Sequence, residues 1–97
     1  MIESVDEALG VLLKTLEKLE ILDETFIVFT SDNGGLSAHT REKPHHRHNH
    51  PLSSGKGSAL EGGTRIPLVM HWPGVIEGGV RSPLPVISHD HFPTLLS

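Results

Sequence analysis

A short, unbroken run of β-prone residues constrains the fold of this chain more than any other feature. The run, TFIVFT, spans residues 25–30. Its apolar residues do not alternate with polar ones, which is typical of a strand covered on both faces. Covering both faces requires helices on either side of the sheet. The run therefore predicts an α/β fold with a buried strand.

The segment before this strand is amphipathic. Its apolar residues recur at intervals of three and four positions, which places them along one face of a helix. They are Val5, Leu9, Leu12, Leu16 and Leu19. Ser4 and Glu7 match the S-x-x-E capping box, in which each side chain bonds a free amide at the helix start. We predict a helix from about residue 4 to about residue 21.

The rest of the chain is predicted to be mostly loop. Periodicity is lost between Ser31 and Ile66, which predicts a long site-bearing loop over residues 32–65. Residues 66–72 are predicted to form a second strand and residues 85–88 a third, short one. Asp90 is the predicted cap of a final helix with Pro93 in its first turn.

The composition excludes several classes of protein. The chain has 97 residues and a formal net charge of -4, so it forms one small domain at most and would repel a nucleic acid. It has no cysteine, which removes disulfides and thiolate chemistry. No window approaches the run of about 18 apolar residues that a membrane span needs, and no signal peptide is recognisable. Neither a nucleic-acid partner nor a membrane is expected, and localisation stays unknown.

Asp32 and Asn33 follow the predicted strand after a single residue, Ser31, and two glycines come next. Ligands of open α/β sheets bind beyond the carboxyl ends of strands. A carboxylate beside an amide carbonyl offers two hard oxygen ligands, which suit Ca²⁺ or Mg²⁺, and the glycines let the backbone fold closely around an ion. The same residues also form ordinary turns. Taken alone, the segment leaves a cation site and a plain turn both open.

Lys56 stands between Gly55 and Gly57, where little side-chain bulk hinders an approaching anion. The segment is not a P-loop, because Gly57 follows the lysine and the required glycine spacing is absent. An exposed flexible loop with a surface lysine is the alternative for this segment in isolation. Glu61 and Arg65, which follow, are predicted to be charge partners rather than catalysts.

Several segments together resemble the type I sulfatases of the alkaline phosphatase superfamily, and they occur in the family's order. They are FIVFTSDNGG (26–35), PLSSGKGS (51–58), EGGTRIPL (61–68), WPGV (72–75) and ISHDHFPTLL (87–96). The opening MIESVD also resembles the helix before the first of them. The resemblance covers nearly the whole chain. It implies a fragment of an alkaline-phosphatase-like α/β/α sandwich, with residues 1–97 forming a single partial sulfatase domain.

The resemblance also implies roles for individual residues. Asp32 and Asn33 would be two ligands of the family's divalent cation, usually Ca²⁺ with Mg²⁺ as the alternative, and Lys56 would contact the sulfate group. His48 stands where some bacterial members have an HN-x-PL segment, so it is a candidate for substrate contact or for protonation of the leaving group. A solvated loop histidine is the alternative. The implied substrate is a sulfated small molecule or carbohydrate.

The family's nucleophile is missing from this sequence. Family catalysis depends on a formylglycine, made from Cys or Ser in a Cys/Ser-x-Pro/Ala-x-Arg motif, and on an early pair of aspartates. The nearest serine candidate begins at Ser82, in SPLPV, and lacks both Pro or Ala at the third place and Arg at the fifth. These parts are expected upstream of Met1. The 97 residues alone are therefore expected to be inactive on sulfate esters.

Two other functions stay open. Imidazoles bind Zn²⁺, Ni²⁺ or Cu²⁺, so a His-rich transition-metal-binding protein is one alternative. The histidines concerned are His39, His45, His46, His48 and His50. A fragment of a related phosphate or phosphonate ester hydrolase is the other, because those enzymes share the metal-and-anion layout. A sheet fragment also exposes an edge, which predicts self-association.

Overall fold

The computed structural model describes residues 2–36 and 48–97. In these ranges helices and strands alternate along the chain. They are α1 (Ile2–Lys18), β1 (Ile27–Thr30), α2 (Glu61–Thr64), β2 (Leu68–His71) and α3 (Ser88–Leu96). The mixture agrees with the predicted α/β class. None of the helices in the described ranges has the length and apolar character that a membrane span needs.

The helix predicted before the strand is confirmed as α1, but it begins earlier than predicted. Its first residue is Ile2, so Ser4 and Glu7 lie inside the helix and the predicted capping box is wrong. Glu3 lies in the first turn, where a carboxylate interacts favourably with the positive end of the helix dipole. The S-x-x-E pattern is equally compatible with a helix interior, which explains the error.

α1 also ends earlier than predicted, at Lys18. The chain leaves the helical path at Glu20, whose φ of 59° lies in the left-handed region. The amide of Glu20 donates to the carbonyl oxygen of Glu17 (2.9 Å), and the amide of Ile21 donates to that of Leu16 (3.1 Å). These are the two hydrogen bonds of a Schellman motif, which closes the helix and turns the chain toward β1.

β1 and β2 pair antiparallel in a two-stranded sheet, with Ile27 opposite His71 and Thr30 opposite Leu68. The second predicted strand is thus confirmed over a shorter range. The hydroxyl of Thr30 donates to the carbonyl oxygen of Pro67 over 2.9 Å, beyond the last ladder position. The chain leaves β1 and enters β2 at this end of the sheet. The pairing therefore brings both ends of the long loop to one place.

The prediction that β1 is buried on both faces is wrong within the described residues. Val28 is 39% exposed and Phe29 is 37% exposed. β2 is the one described element that contacts β1. No described layer covers this two-stranded sheet, so its faces are exposed to solvent. Phe26 finds an aromatic neighbour in Trp72, with ring centroids 5.2 Å apart. The apolar run therefore identified the strand but not its surroundings.

The predicted third strand is also wrong, because the described chain has no strand over residues 85–88 and α3 begins at Ser88. Asp90 caps this helix from its third position, where Oδ2 accepts a hydrogen bond from the amide of Ile87 over 2.9 Å. That bond satisfies an amide that the helix leaves free. Pro93 lies in the second turn rather than the first.

The described residues contain no buried apolar side chain. The buried residues are all glycines, namely Gly34, Gly55, Gly62 and Gly63. The radius of gyration is 16.7 Å, against about 12.5 Å for a compact domain of this length. Close contact between backbone segments, rather than an apolar core, therefore positions the loops that carry the predicted site.

Candidate functional site

Residues 31–35, which we call the Asp-Asn turn, follow β1 directly. The hydroxyl of Ser31 donates to the carbonyl oxygen of Asn33 over 2.9 Å, and Nδ2 of Asn33 donates to that of Gly34 over 3.0 Å. Such short-range bonds from polar side chains are what makes Ser and Asn turn-forming residues. Asp32 is exposed and Asn33 is half-buried. The turn thus presents the predicted carboxylate ligand to solvent.

A backbone hydrogen bond and close glycine contacts hold the Asp-Asn turn against α2. The amide of Gly34 donates to the carbonyl oxygen of Gly63 over 2.9 Å. A Cβ at Gly34 would come within 2.7 Å of the carbonyl carbon of Gly62, and a Cβ at Gly63 would come within 2.6 Å of the carbonyl oxygen of Gly55. Because these neighbours are backbone atoms, a side chain at either position would force the segments apart. The absence of side chains at Gly34 and Gly63 therefore allows the tight backbone path between the turn and α2.

Residues 53–58, which we call the lysine loop, lie against the same turn. The amide of Lys56 donates to the carbonyl oxygen of Gly35 over 3.0 Å, and the amide of Gly62 donates to that of Ser53 over 2.8 Å. The loop bends sharply, with left-handed φ angles of 66° at Ser54 and 87° at Gly57. Lys56 is therefore brought beside the Asp-Asn turn by its own backbone.

The side chain of Lys56 is exposed. Within the described part of the chain, Arg65 and Glu61 form an ion pair with 3.6 Å between nitrogen and oxygen, and Lys56 takes no part in it. The predicted partnership of Glu61 and Arg65 is confirmed. Both side chains are 67% exposed, so their attraction is strongly screened and contributes little to stability.

Asn49 organises these loops, and sequence reasoning missed it. Its Oδ1 accepts a hydrogen bond from the amide of Gly35 (3.0 Å). Its Nδ2 donates to the carbonyl oxygens of Gly35 (2.8 Å) and Ser54 (3.0 Å). The sequence instead predicts its neighbour His48 as the chemically active residue of this segment. One sequence feature could have indicated this role: the carboxamide of Asn carries two donors and an acceptor, so it can bridge two backbone segments.

His48 is exposed and precedes Asn49 in the chain, so it lies at the border of the same loop cluster. His39, His45 and His46 of the histidine cluster lie outside the described residues. Over residues 2–36 and 48–97, no three or more His, Cys, Asp or Glu side chains come together in a way that could hold a metal ion.

The Asp-Asn turn fits a hard cation only in part. Asp32 and Asn33 supply a carboxylate and an amide, the oxygen donors that Ca²⁺ and Mg²⁺ prefer. No described side chain hydrogen-bonds the carboxylate of Asp32, which leaves its oxygens open to an ion. Ca²⁺ takes about six to eight oxygen ligands. Two residues therefore provide a part of a cation site.

Comparison with known proteins places the chain in a family. The sequence model of the family named Sulfatase matches residues 1–97. The chain is similar to steryl-sulfatase from Rattus norvegicus, with 37% identity over 99 residues, covering 97% of this chain and 17% of that protein. It is also similar to arylsulfatase A from Bos taurus, with 40% identity over 91 residues, covering 94% and 17%.

A bacterial relative gives the same result. The chain is 35% identical over 103 residues to a protein named sulfatase from Formosa agariphila, covering 97% of this chain and 17% of that protein. The chain thus spans about one sixth of the length of these relatives. These matches confirm the resemblance inferred from the ordered segments, and the chain belongs to the sulfatase family.

Proposed function

We propose that this chain supplies part of the cation and sulfate site of a sulfatase, with Asp32 and Asn33 as cation ligands and Lys56 as a sulfate contact. One observation carries the proposal: the amide of Lys56 donates to the carbonyl oxygen of Gly35 over 3.0 Å. That bond ties the lysine loop to the Asp-Asn turn. Two features that are ambiguous alone thereby become neighbours in one site.

Each residue has a distinct part in this proposal. The ammonium of Lys56 draws negative charge from the sulfuryl oxygens, which helps the sulfur accept a nucleophile and the ester oxygen depart. Ca²⁺, or Mg²⁺ as the alternative, would supply further positive charge at the same oxygens when held by Asp32 and Asn33. His48 is proposed to contact the substrate or to protonate the leaving oxygen, because histidine is the side chain that most often serves as a general acid in catalysis.

We further propose that the 97 residues alone do not hydrolyse sulfate esters. The sequence contains neither cysteine nor a serine in the motif that becomes formylglycine. In the proposed arrangement, α1 and the two-stranded sheet are parts of an alkaline-phosphatase-like α/β/α sandwich, and the exposed apolar residues contact other parts of it. The lack of buried apolar side chains in the described chain supports that arrangement.

The proposed substrate is the sulfate ester of a small molecule or carbohydrate. Relatives of this chain carry names for both kinds, such as steryl-sulfatase and the human N-acetylgalactosamine-6-sulfatase. The exposure of Lys56 and His48 supports an open site that an ester can reach from solvent. A phosphate or phosphonate ester is the competing substrate class, because phosphate and sulfate share tetrahedral oxyanion chemistry.

Anion titration of the 97-residue chain tests the sulfate contact. Inorganic sulfate is added while the backbone amides of residues 53–58 are followed by NMR, and phosphate is titrated in parallel. We expect sulfate to shift the signals of these amides in the parent chain. In Lys56→Ala we expect most of that shift to be lost. Lys14→Ala removes an exposed lysine from α1 and is the matched control. Equal sulfate responses in the two variants would reject Lys56 as the contact, and a response to phosphate alone would favour the competing class.

A further inference from the structure

Asn49 joins the two halves of the candidate site by using its acceptor and both of its donors. Oδ1 accepts from the amide of Gly35 over 3.0 Å. Nδ2 donates to the carbonyl oxygens of Gly35 over 2.8 Å and of Ser54 over 3.0 Å. Gly35 belongs to the Asp-Asn turn and Ser54 to the lysine loop. One half-buried carboxamide therefore connects both segments.

The position of Lys56 depends on this connection. The carbonyl oxygen of Gly35 accepts one hydrogen bond from Asn49 and another from the amide of Lys56. A Cβ at Gly35 would lie 2.8 Å from Oδ1 of Asn49, so the absence of a side chain at Gly35 allows the close approach. Asn49 thus orients the peptide group on which the lysine loop rests.

We propose that Asn49 is a positioning residue, which fixes the lysine loop relative to the Asp-Asn turn and so sets the separation between Lys56 and the cation ligands Asp32 and Asn33. Asn49 acts through Gly35 and not by touching the substrate. The role of Asn49 in placing Lys56 near the cation ligands rests on the proposed function. The contact itself does not depend on a ligand, so it can be tested separately.

Amide hydrogen exchange of the 97-residue chain, read by NMR, tests the positioning. We expect exchange at the amides of Gly35 and Lys56 to accelerate about tenfold in Asn49→Ala, because hydrogen bonds that hold the loops closed are lost. We expect a larger acceleration in Asn49→Asp. There a carboxylate oxygen replaces the nitrogen that donates to two carbonyl oxygens, and the like partial charges repel. A side chain that only filled space would be replaced well by the isosteric aspartate.

Ser82→Ala is the matched control, because Oγ of Ser82 accepts a hydrogen bond from the amide of Leu84 over 3.2 Å, outside the site. The amides of α1 are an internal reference that shows whether the rest of the fold persists. The proposal is overturned if the amide of Lys56 exchanges equally fast in the parent and both Asn49 variants. It is also overturned if that amide is unprotected in the parent chain.

A titration with Mn²⁺ separates this proposal from the proposed function. Mn²⁺ in excess, held by Asp32, is expected to broaden the amides of Gly35 and Lys56 in the parent, and to change the broadening of Lys56 relative to that of Gly35 in Asn49→Ala, because the lysine loop then moves relative to the ion. Broadening of both amides to the same extent in parent and variant would count against the positioning role. If Mn²⁺ broadens neither amide while the exchange results hold, the positioning role is supported and the proposed cation site fails.

Discussion

Replacing Gly34 by alanine tests the glycine contact that holds the candidate site together. The new methyl group would overlap the carbonyl of Gly62, whose carbon would lie 2.7 Å away, and would lie 3.1 Å from Cα of Gly63. Overpacking costs about 1–3 kcal/mol. Losing the hydrogen bond from the amide of Gly34 to Gly63 adds about 0.5–1.5 kcal/mol. We expect the free energy of local opening to fall by about 2–4 kcal/mol.

Amide hydrogen exchange at Gly34 and Gly62 measures this change. A loss of about 2 kcal/mol accelerates exchange by about thirtyfold, up to the rate of an unstructured chain. Gly78→Ala is the matched control, because a Cβ at Gly78 would meet no atom within 4 Å. It is expected to leave both amides unchanged. Equal exchange rates in Gly34→Ala and Gly78→Ala would refute the reasoning that backbone contact, rather than an apolar core, holds these loops.

Three further predictions concern the rest of the chain. Gly10→Ala is expected to stabilise α1 by about 0.5–1 kcal/mol, because the helix interior disfavours glycine and the position is open; a far-ultraviolet circular dichroism signal without added helix would contradict this. Asp90→Ala is expected to weaken the start of α3 by about 1 kcal/mol, which the carbon chemical shifts of residues 88–96 would report. Asp90→Asn retains the hydrogen-bond acceptor and is the control. Equal chemical shifts in the two variants would show that the cap is unimportant. The exposed apolar residues, such as Ile2 at 83% and Leu84 at 74%, predict self-association. Light scattering should show a mass that rises with concentration, and a constant monomer mass would count against it.

Local patterns in this sequence predicted local structure. The three-and-four spacing identified α1, and the run of β-prone residues identified β1, because both signals come from the segments themselves. The bounds of α1 were less predictable. The S-x-x-E pattern at Ser4 does not say which turn of a helix comes first, and nothing marks Glu20 as a residue with a left-handed backbone.

Features that depend on distant segments were harder to predict. The composition of β1 indicates a strand between two layers, but the described chain provides one partner strand and no layer. Asn49 makes its three hydrogen bonds because Gly35 and Ser54 approach it, and no spacing within its own segment reports that approach. Asp32 and Lys56 were selected from short motifs, and their loops do lie together. Their roles toward a cation and a sulfate group stay predictions.

Coupling between cation and sulfate binding tests the central claim most directly, namely that the Asp-Asn turn and the lysine loop form one site. Sulfate affinity of the 97-residue chain is measured by NMR with and without Ca²⁺, in the parent, in Asp32→Asn and in the control Asp23→Asn. Two ligands in one site must affect each other reciprocally. Because Asp32 and Asn33 alone bind Ca²⁺ weakly, the ion is supplied in large excess. The account predicts tighter sulfate binding with Ca²⁺ in the parent and in Asp23→Asn, and loss of that gain in Asp32→Asn. Sulfate affinity that is the same with and without Ca²⁺ in the parent chain would contradict it.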